Sequence, residues 1–448
     1  MRQKTFLIAC GGTGGHMSPG IAVAQELTAR GHACKLLISQ KAVDQALCRA
    51  YPELTFIPLS GVGFSGKLPD LPRYLWAALK NILQSFRLLR NTKADAVIGF
   101  GGFTNVGIVL AAKFLRKPCF LHEANRIPGR AVRLLGRWAT VVYVPKVFPD
   151  QPQLKQKPCG FPIRREFQKL DKAVAKQRLG FDPSKPLLVV VGGSQGARVL
   201  TQWAEEHIEA FKKHDIQLLC LTGVRNDGES TAGTTTAFAP VGEIREKRDH
   251  GICQTTAANL ISSNTSGADQ STTVDPQADF GNIAGNQHKA SGLNTEHVAK
   301  RKDISSMLSD VSAFFAEPSM SELHEDPSVR FMPFCHSMHV VYSAADCVIG
   351  RAGAGTIAEL TVCETPSILI PLPTSADDHQ RANARAFEQQ GGCVCLEQND
   401  LPKLREKVLE LLSNKEKREA TAERLRALNT VDATQRMVTD IERMLGVV

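Results

Sequence analysis

No stretch of this 448-residue chain approaches the roughly 18 consecutive apolar residues that a membrane-crossing helix needs. The apolar run near the N-terminus, Phe6 to Cys10, is about five residues long, shorter than the core of a secretory signal peptide. Both absences predict a chain that stays in the cytoplasm. Paired cysteines are also missing. The 12 cysteines are scattered singly, as at Cys10, Cys34, Cys119, Cys220 and Cys347, and the one close pair, Cys393 and Cys395, lies in a strand-like run. Without CxxC spacing, buried free thiols in a reducing compartment are expected, not a zinc or disulfide scaffold. Cys335, His336 and His339 are of metal-ligating types but have no second half, and they read as the start of a helix. There is no recognised nucleic-acid motif and no ladder of stacking aromatics.

What the chain does have is glycine at the right places. Gly11-Gly12-Thr13-Gly14-Gly15-His16 stands between the apolar run Phe6 to Cys10 and the amphipathic run Ile21 to Ala29. This is a strand, a phosphate-sized turn and a helix whose first amides can face an anion. It lacks the spaced dinucleotide fingerprint with its acidic residue, and the Gly-Lys-Ser/Thr ending of a P-loop, so neither NAD nor ATP is indicated. Similar turns recur as Gly99-Phe100-Gly101-Gly102-Phe103 and Gly192-Gly193-Ser194-Gln195-Gly196-Ala197-Arg198. Any one of them could simply make a tight connection. Three of them in two halves of the chain point to two open sheets whose strand ends face one cleft.

The length exceeds what a single core organises, and 43% apolar residues suffice for two cores. Strands are predicted at Phe6 to Cys10, Lys35 to Ser39, Thr55 to Leu59, Ala96 to Phe100, Cys119 to His122 and Thr140 to Val144. Lys146 to Pro162, with four prolines, reads as a linker. A second series follows at Leu187 to Val191, Gln217 to Leu221, Val329 to Phe334, Cys347 to Ile349, Ser367 to Pro371 and Cys393 to Leu396. Two successive βα series predict an α/β protein of two doubly wound domains, residues 1–160 and 161–448. Residues from about 224 to 325 interrupt the second with a polar stretch expected to be a flexible excursion, within which Ile304 to Phe315 could form a short helix.

Charge divides the same way. Residues 1–160 carry 22 Lys and Arg against 7 Asp and Glu, a net of +15, and the remainder carries 32 against 38, a net of −6. Within the basic half, Leu75, Trp76, Leu79, Ile82, Leu83 and Phe86 recur at helical spacing among Arg73, Lys80, Arg87 and Arg90. Two readings are open: an anionic membrane surface attracts such a face, or the face packs into the domain's own core. In the second half, Arg351 to Glu359 (RAGAGTIAE) is a small-residue turn opening a helix, with Glu359 able to accept two ribose hydroxyls. Asp377-Asp378-His379-Gln380, with Asn383 one turn on, places polar groups of the kind that bind sugar hydroxyls just after a strand.

Taken together, Gly11 to Gly20 (GGTGGHMSPG), Gly99 to Phe103 (GFGGF), His122-Glu123-Ala124-Asn125, Gly192 to Arg198 (GGSQGAR), Arg351 to Glu359 and Asp378 to Gln380 occur in the order found in a known family. The chain resembles the MurG glycosyltransferases, which add N-acetylglucosamine to the lipid-linked muramyl pentapeptide of bacterial cell-wall synthesis. The resemblance spans nearly everything except residues from about 224 to 325. It implies the GT-B architecture of two Rossmann-like domains, with the lipid acceptor on the N-terminal half and the sugar nucleotide mainly on the C-terminal half. It also implies peripheral attachment to the cytoplasmic face of the bacterial membrane. Its implied partners are UDP-N-acetylglucosamine, undecaprenyl-pyrophosphoryl-MurNAc-pentapeptide and an anionic membrane surface, with no nucleic acid.

Carried over by residue, the resemblance implies that Thr13, Gly14 and Gly15 line the donor side of the cleft, with Asn125 near the donor sugar. Arg164 and Ser194 would meet the diphosphate. The turn Ala354, Gly355, Thr356, Ile357, Ala358 and Glu359 would hold the nucleoside, with Glu359 on the ribose, Gln380 on the sugar and the backbone of Cys335 on the uracil. Phe161, Ala124 and Cys335 depart from the family's usual residues. The implied chemistry is inverting transfer to a C4 hydroxyl, with His16 either the base or a residue that orients acceptor phosphate or the turn. No DxD-like pair follows a strand, so helix dipoles and Arg164 are expected to serve in place of a metal, and no cofactor is expected. Another GT-B transferase with a small hydrophobic acceptor, a UDP-sugar epimerase, and a noncatalytic UDP-sugar-binding scaffold are the competing readings.

Overall fold

The computed structural model describes residues 2–12, 14–40, 44, 48–59, 71–102, 104–193, 196–223, 326–430 and 432–447, with 71–75 as backbone alone. The polar excursion, its short helix, Thr13 and Ser194 therefore lie outside the described residues.

Seven parallel strands make the first sheet: β1 Thr5–Ala9, β2 Ala33–Ile38, β3 Thr55–Pro58, β4 Ala96–Gly99, β5 Cys119–His122, β6 Val141–Val144 and β7 Gln156–Pro158. Their order is β3-β2-β1-β4-β5-β6-β7. Helices α1 Gly14–Ala29, α2 Leu71–Asn91, α3 Thr104–Phe114 and α4 Arg130–Leu135 connect them. The second sheet holds β8 Leu187–Val191, β9 Gln217–Leu221, β10 Val329–Met332, β11 Cys347–Gly350, β12 Ser367–Leu369 and β13 Val394–Cys395 in the order β10-β9-β8-β11-β12-β13. Around it lie α5 Lys172–Arg178, α6 Arg198–Glu206, α7 Ile208–Lys212, α8 Met338–Ala344, α9 Ala354–Val362, α10 His379–Gln389, α11 Leu404–Ser413 and α12 Lys415–Leu428.

Burial on both faces explains why the strands read as unbroken apolar runs. In β1, Phe6 and Ile8 enter one core while Leu7 and Ala9 enter the core on the opposite face. In β8, Leu187, Val189 and Val191 face one way and Leu188 and Val190 the other. Both doubly wound domains expected from the sequence are present. The segment Lys146 to Pro162 is a correction, because it is more than a linker: β7 pairs with β6 through Val142 and Gln156. Its proline is tolerated because β7 is an edge strand.

The last helix, α13 Ala433–Met444, lies in the sequence beyond the second sheet but packs on the first. Met437, Val438 and Ile441 share a core with Phe6, Ile8 and Ile21. Buried Glu442 fixes it there, accepting from Arg30 Nη1 at 2.6 Å and His32 Nε2 at 2.9 Å. The amide of Lys4 donates to His32 Nδ1, so Nε2 carries the proton and donates to the carboxylate. Burying Glu442 without these partners would be strongly unfavourable.

Candidate active site

The first glycine turn is held by side chains as well as by its own backbone. Asp44 Oδ2 accepts from the Gly12 amide at 2.8 Å, the Ser39 amide at 3.0 Å and Ser39 Oγ at 2.6 Å. Thr104 Oγ1 donates to the Gly11 carbonyl. The Gly12 amide is thus spent on the protein, and the donors left to face a ligand are those at the start of α1. His16 lies in the first turn of that helix, half-buried. The second glycine turn wraps its ring: Gly101 and Gly102 have φ of 100° and 77°, and a Cβ on Gly101 would stand 3.1 Å from His16 Nε2. Only glycine combines that backbone with that approach.

Beside this turn a cavity of about 200 Å³ opens between the domains. Gly14, Gly15 and Tyr51 line it from the first domain; Gly193, Cys335, His336, Gly355, Thr356 and Glu359 line it from the second, with Arg164 between them. Arg164 is nearly buried. Its Nη1 donates to the Tyr51 hydroxyl at 2.7 Å, and that hydroxyl donates to Glu166. Its Nη2 stands 3.4 Å from Glu359 Oε1, longer than a well-formed charge-assisted bond. Its Nε is buried without a hydrogen-bond partner among the described residues. Burial pushes the Glu359 carboxyl up to about 7, with the Arg164 charge pulling the other way. Burial also raises the Cys335 thiol to about 11, so it stays protonated and is a wall of the cavity, not a nucleophile.

The turn from Ala354 to Glu359 is divided by its own helix. Gly355, Thr356 and Glu359 face the cavity, whereas Ala354, Ile357 and Ala358 line a separate groove of about 850 Å³ together with Phe161 and Asn383. With about 100° per residue, six consecutive positions cannot all face one ligand through their side chains.

The resemblance implied Asn125 near the sugar and Gln380 on it, and Asn383 stood among the polar groups of the kind that bind sugar hydroxyls. Here their amides are largely engaged with protein. Glu123, buried and raised in pKa by that burial, accepts from the Asn125 amide and Asn125 Nδ2, both at 2.9 Å, and from the Gly129 amide at 2.7 Å. Asn125 Oδ1 accepts from Asn383 Nδ2 at 3.1 Å, and Asn383 Oδ1 accepts from the Arg126 amide at 2.9 Å. Asn383 is therefore a tie between domains. Gln380 Oε1 accepts from the Leu372 amide at 3.0 Å, so the side-chain donor that remains is its amide nitrogen, Nε2. His122 is buried and donates to the Gly160 carbonyl; burial lowers it to about 4, so it is neutral and structural.

Sequence reasoning missed Tyr51, which reaches Arg164 across 113 residues. It also took His336 only as part of a helix start, yet His336 lines the cavity. Among the described residues, no group of three or more His, Cys, Asp or Glu side chains is placed to hold a metal ion.

Residues 6–144 match the glycosyltransferase family 28 N-terminal domain, and residues 308–437 match the glycosyltransferase family 28 C-terminal domain. The chain is 36% identical, over 99% of its length and 95% of the relative's, to the UDP-N-acetylglucosamine--N-acetylmuramyl-(pentapeptide) pyrophosphoryl-undecaprenol N-acetylglucosamine transferase of Opitutus terrae. Its fold is similar to the crystal structure of Acinetobacter baumannii MurG, at a TM-score of 0.58 and 20% identity over 99% of this chain and 100% of that one. A calicheamicin glycosyltransferase superposes as well, at a TM-score of 0.58 and 14% identity with complete coverage of both chains. The GT-B fold is therefore shared between proteins named for different products, and fold alone does not select the acceptor.

Proposed function

The chain belongs to glycosyltransferase family 28, and on that premise we propose that it moves N-acetylglucosamine from UDP-N-acetylglucosamine to the C4 hydroxyl of undecaprenyl-pyrophosphoryl-MurNAc-pentapeptide. The observation that carries this reading is the near full-length similarity to a relative named for that transfer.

The site supplies chemistry that suits it. The acceptor oxygen bonds to the anomeric carbon from the face opposite UDP, and the bond from that carbon to the phosphate oxygen breaks with its electron pair going to UDP. The α-linked donor thus gives a β-1,4 product. His16, held between α1 and the second glycine turn, takes the hydroxyl proton. Arg164, whose Nε has no partner among the described residues and whose contact to Glu359 is loose, meets the diphosphate, helped by the amides opening α6 and α9. Glu359 turns from Arg164 to the ribose hydroxyls, Cys335 offers its backbone to the base, and Gln380 offers Nε2 to the sugar. Ser194 lies outside the described residues and keeps only its implied role at the diphosphate.

A lipid-linked acceptor must be met at a membrane, and among the described residues no helix is long and apolar enough to cross one. Helix α2 offers a surface suited to docking. It buries Asn81, Ser85 and Leu89, and packs closely on α3 at Gly107, where a side chain would collide with Asn81. Its outer face exposes Trp76 at 70%, Leu79 at 47% and Leu83 at 51%, and Phe114, 73% exposed, stands with its ring 5.8 Å from that of Phe86. Lys80, Arg87 and Arg90 are exposed on the same helix. Of the apolar stripe, Phe86 packs against the core of the first domain while Trp76, Leu79 and Leu83 stand outside it. This face favours a lipid acceptor over a small soluble one.

The test is incubation with sugar-labelled UDP-N-acetylglucosamine and the undecaprenyl-linked acceptor. The expected result is label in the lipid extract, matched one for one by UDP. Release of UDP or an epimerised sugar nucleotide without labelled lipid would overturn the reading.

A further inference from the structure

The segments after β5 and β12 meet across the two domains, and the transfer chemistry above gives that contact no task. Arg130 and Arg133, three residues apart on α4, both reach Asp377: Arg130 Nη2 lies 3.3 Å from Oδ1 and Arg133 Nη2 lies 2.6 Å from Oδ2. Each carboxylate oxygen thus has its own arginine. Asp377 and Asp378 have φ of 52° and 54°, a left-handed pair that Asp and Asn adopt more readily than other side-chain-bearing residues. Six residues on, Asn383 makes the second tie, to Asn125 and to the Arg126 amide, and this one is only 4% exposed.

Both ends of the contact are braced. Glu123 grips the Gly129 amide immediately before α4, so the two arginines inherit the fixed position of β5. On the other side Gln380 binds the Leu372 amide and its own amide meets Ser375 Oγ, which joins the loop after β12 to the start of α10. An exposed ion pair alone contributes little. Here a pair of arginines and a buried amide tie bracket the same short stretch, and Gln380 lies inside it.

We propose that Arg130, Arg133 and Asp377 are positioning residues, forming a clasp that sets where Gln380, and the sugar it holds, stands relative to His16. The inference rests on the transfer reaction proposed above. Transfer between two held reactants falls steeply with small misplacement. Nucleotide affinity does not depend on the clasp in the same way, because Glu359, Cys335 and Arg164 lie outside it.

The test is a cycle of Arg130→Ala/Arg133→Ala, Asp377→Asn and the combined variant, with Asn chosen because it tolerates the left-handed backbone. Each arm is expected to lower turnover about tenfold, the combination no further than either alone, and UDP affinity by calorimetry to stay within about twofold. Unchanged turnover, additive losses, or a parallel loss of UDP affinity would overturn the clasp. Hydrogen exchange supplies an arm that needs no substrate: Asp377→Asn should speed exchange across residues 373–389 and leave 353–362 unchanged. Exchange in 373–389 equal to wild type also overturns it. If wild type makes no lipid product, the proposed reaction fails, and the exchange arm still decides whether the clasp exists.

Discussion

Two regions of this molecule carry the same residue types at the ends of strands and use them in opposite ways. Around Arg164 and Glu359 the polar groups converge on a cavity and are under-satisfied among the described residues, with an Nε that has no partner there and a 3.4 Å ion pair. Around Glu123, Asn125 and Asn383 they are consumed by one another at 2.7–3.1 Å. Glutamate and asparagine in a glycine-rich context thus do not declare whether they await a ligand or fasten a fold. The count of hydrogen-bond partners does, because a buried polar group left short of partners is costly unless a ligand completes it.

The sharpest way to break this comparison is at His16, where Ala should lower turnover about 10²-fold or more while UDP affinity stays nearly intact. Near-normal turnover would leave His16 an orienting residue only. A smaller effect follows from the Glu359 carboxyl, raised to about 7. If the carboxylate accepts the ribose hydroxyls, the ionised fraction and with it UDP affinity fall as pH drops through 7, about tenfold between pH 8 and pH 6. Glu359→Gln should bind weakly but without that slope, so a wild-type titration flat over this range counts against the ribose role. The smallest expected effect lies on α2: Lys80→Ala should weaken sedimentation with anionic vesicles about fivefold, the worth of one cation near such a surface, with no change for neutral vesicles. Equal binding to both vesicle types would remove the docking face.

Much of the fold was legible because both faces of each sheet are buried. Runs such as Leu187 to Val191 cannot alternate with polar residues when Val189 and Val190 enter different cores. β7 was not legible, since Gln156-Lys157-Pro158 has neither apolar pattern nor β propensity and is held only by its neighbour at the sheet edge. The glycine turns could be found by composition, and with them Gly14, Gly15 and Gly355. Tyr51 could not, because its partner Arg164 is remote in sequence and a single tyrosine before a proline carries no signal. The return of α13 to the first domain was hidden for the same reason: its Met437, Val438 and Ile441 form an ordinary amphipathic stripe that names no partner.

The most direct test of the contrast between the two regions is UDP titration by calorimetry of Arg164→Met beside Asn383→Ser. Losing charge-assisted bonds to a diphosphate should weaken binding about 10- to 100-fold in the first, while the second, which breaks the tie between domains and a 3.3 Å bond to the Ala352 carbonyl, should stay within about twofold of wild type. Equal losses in both, or none with Arg164→Met, would contradict the division between a ligand cavity and a protein seam.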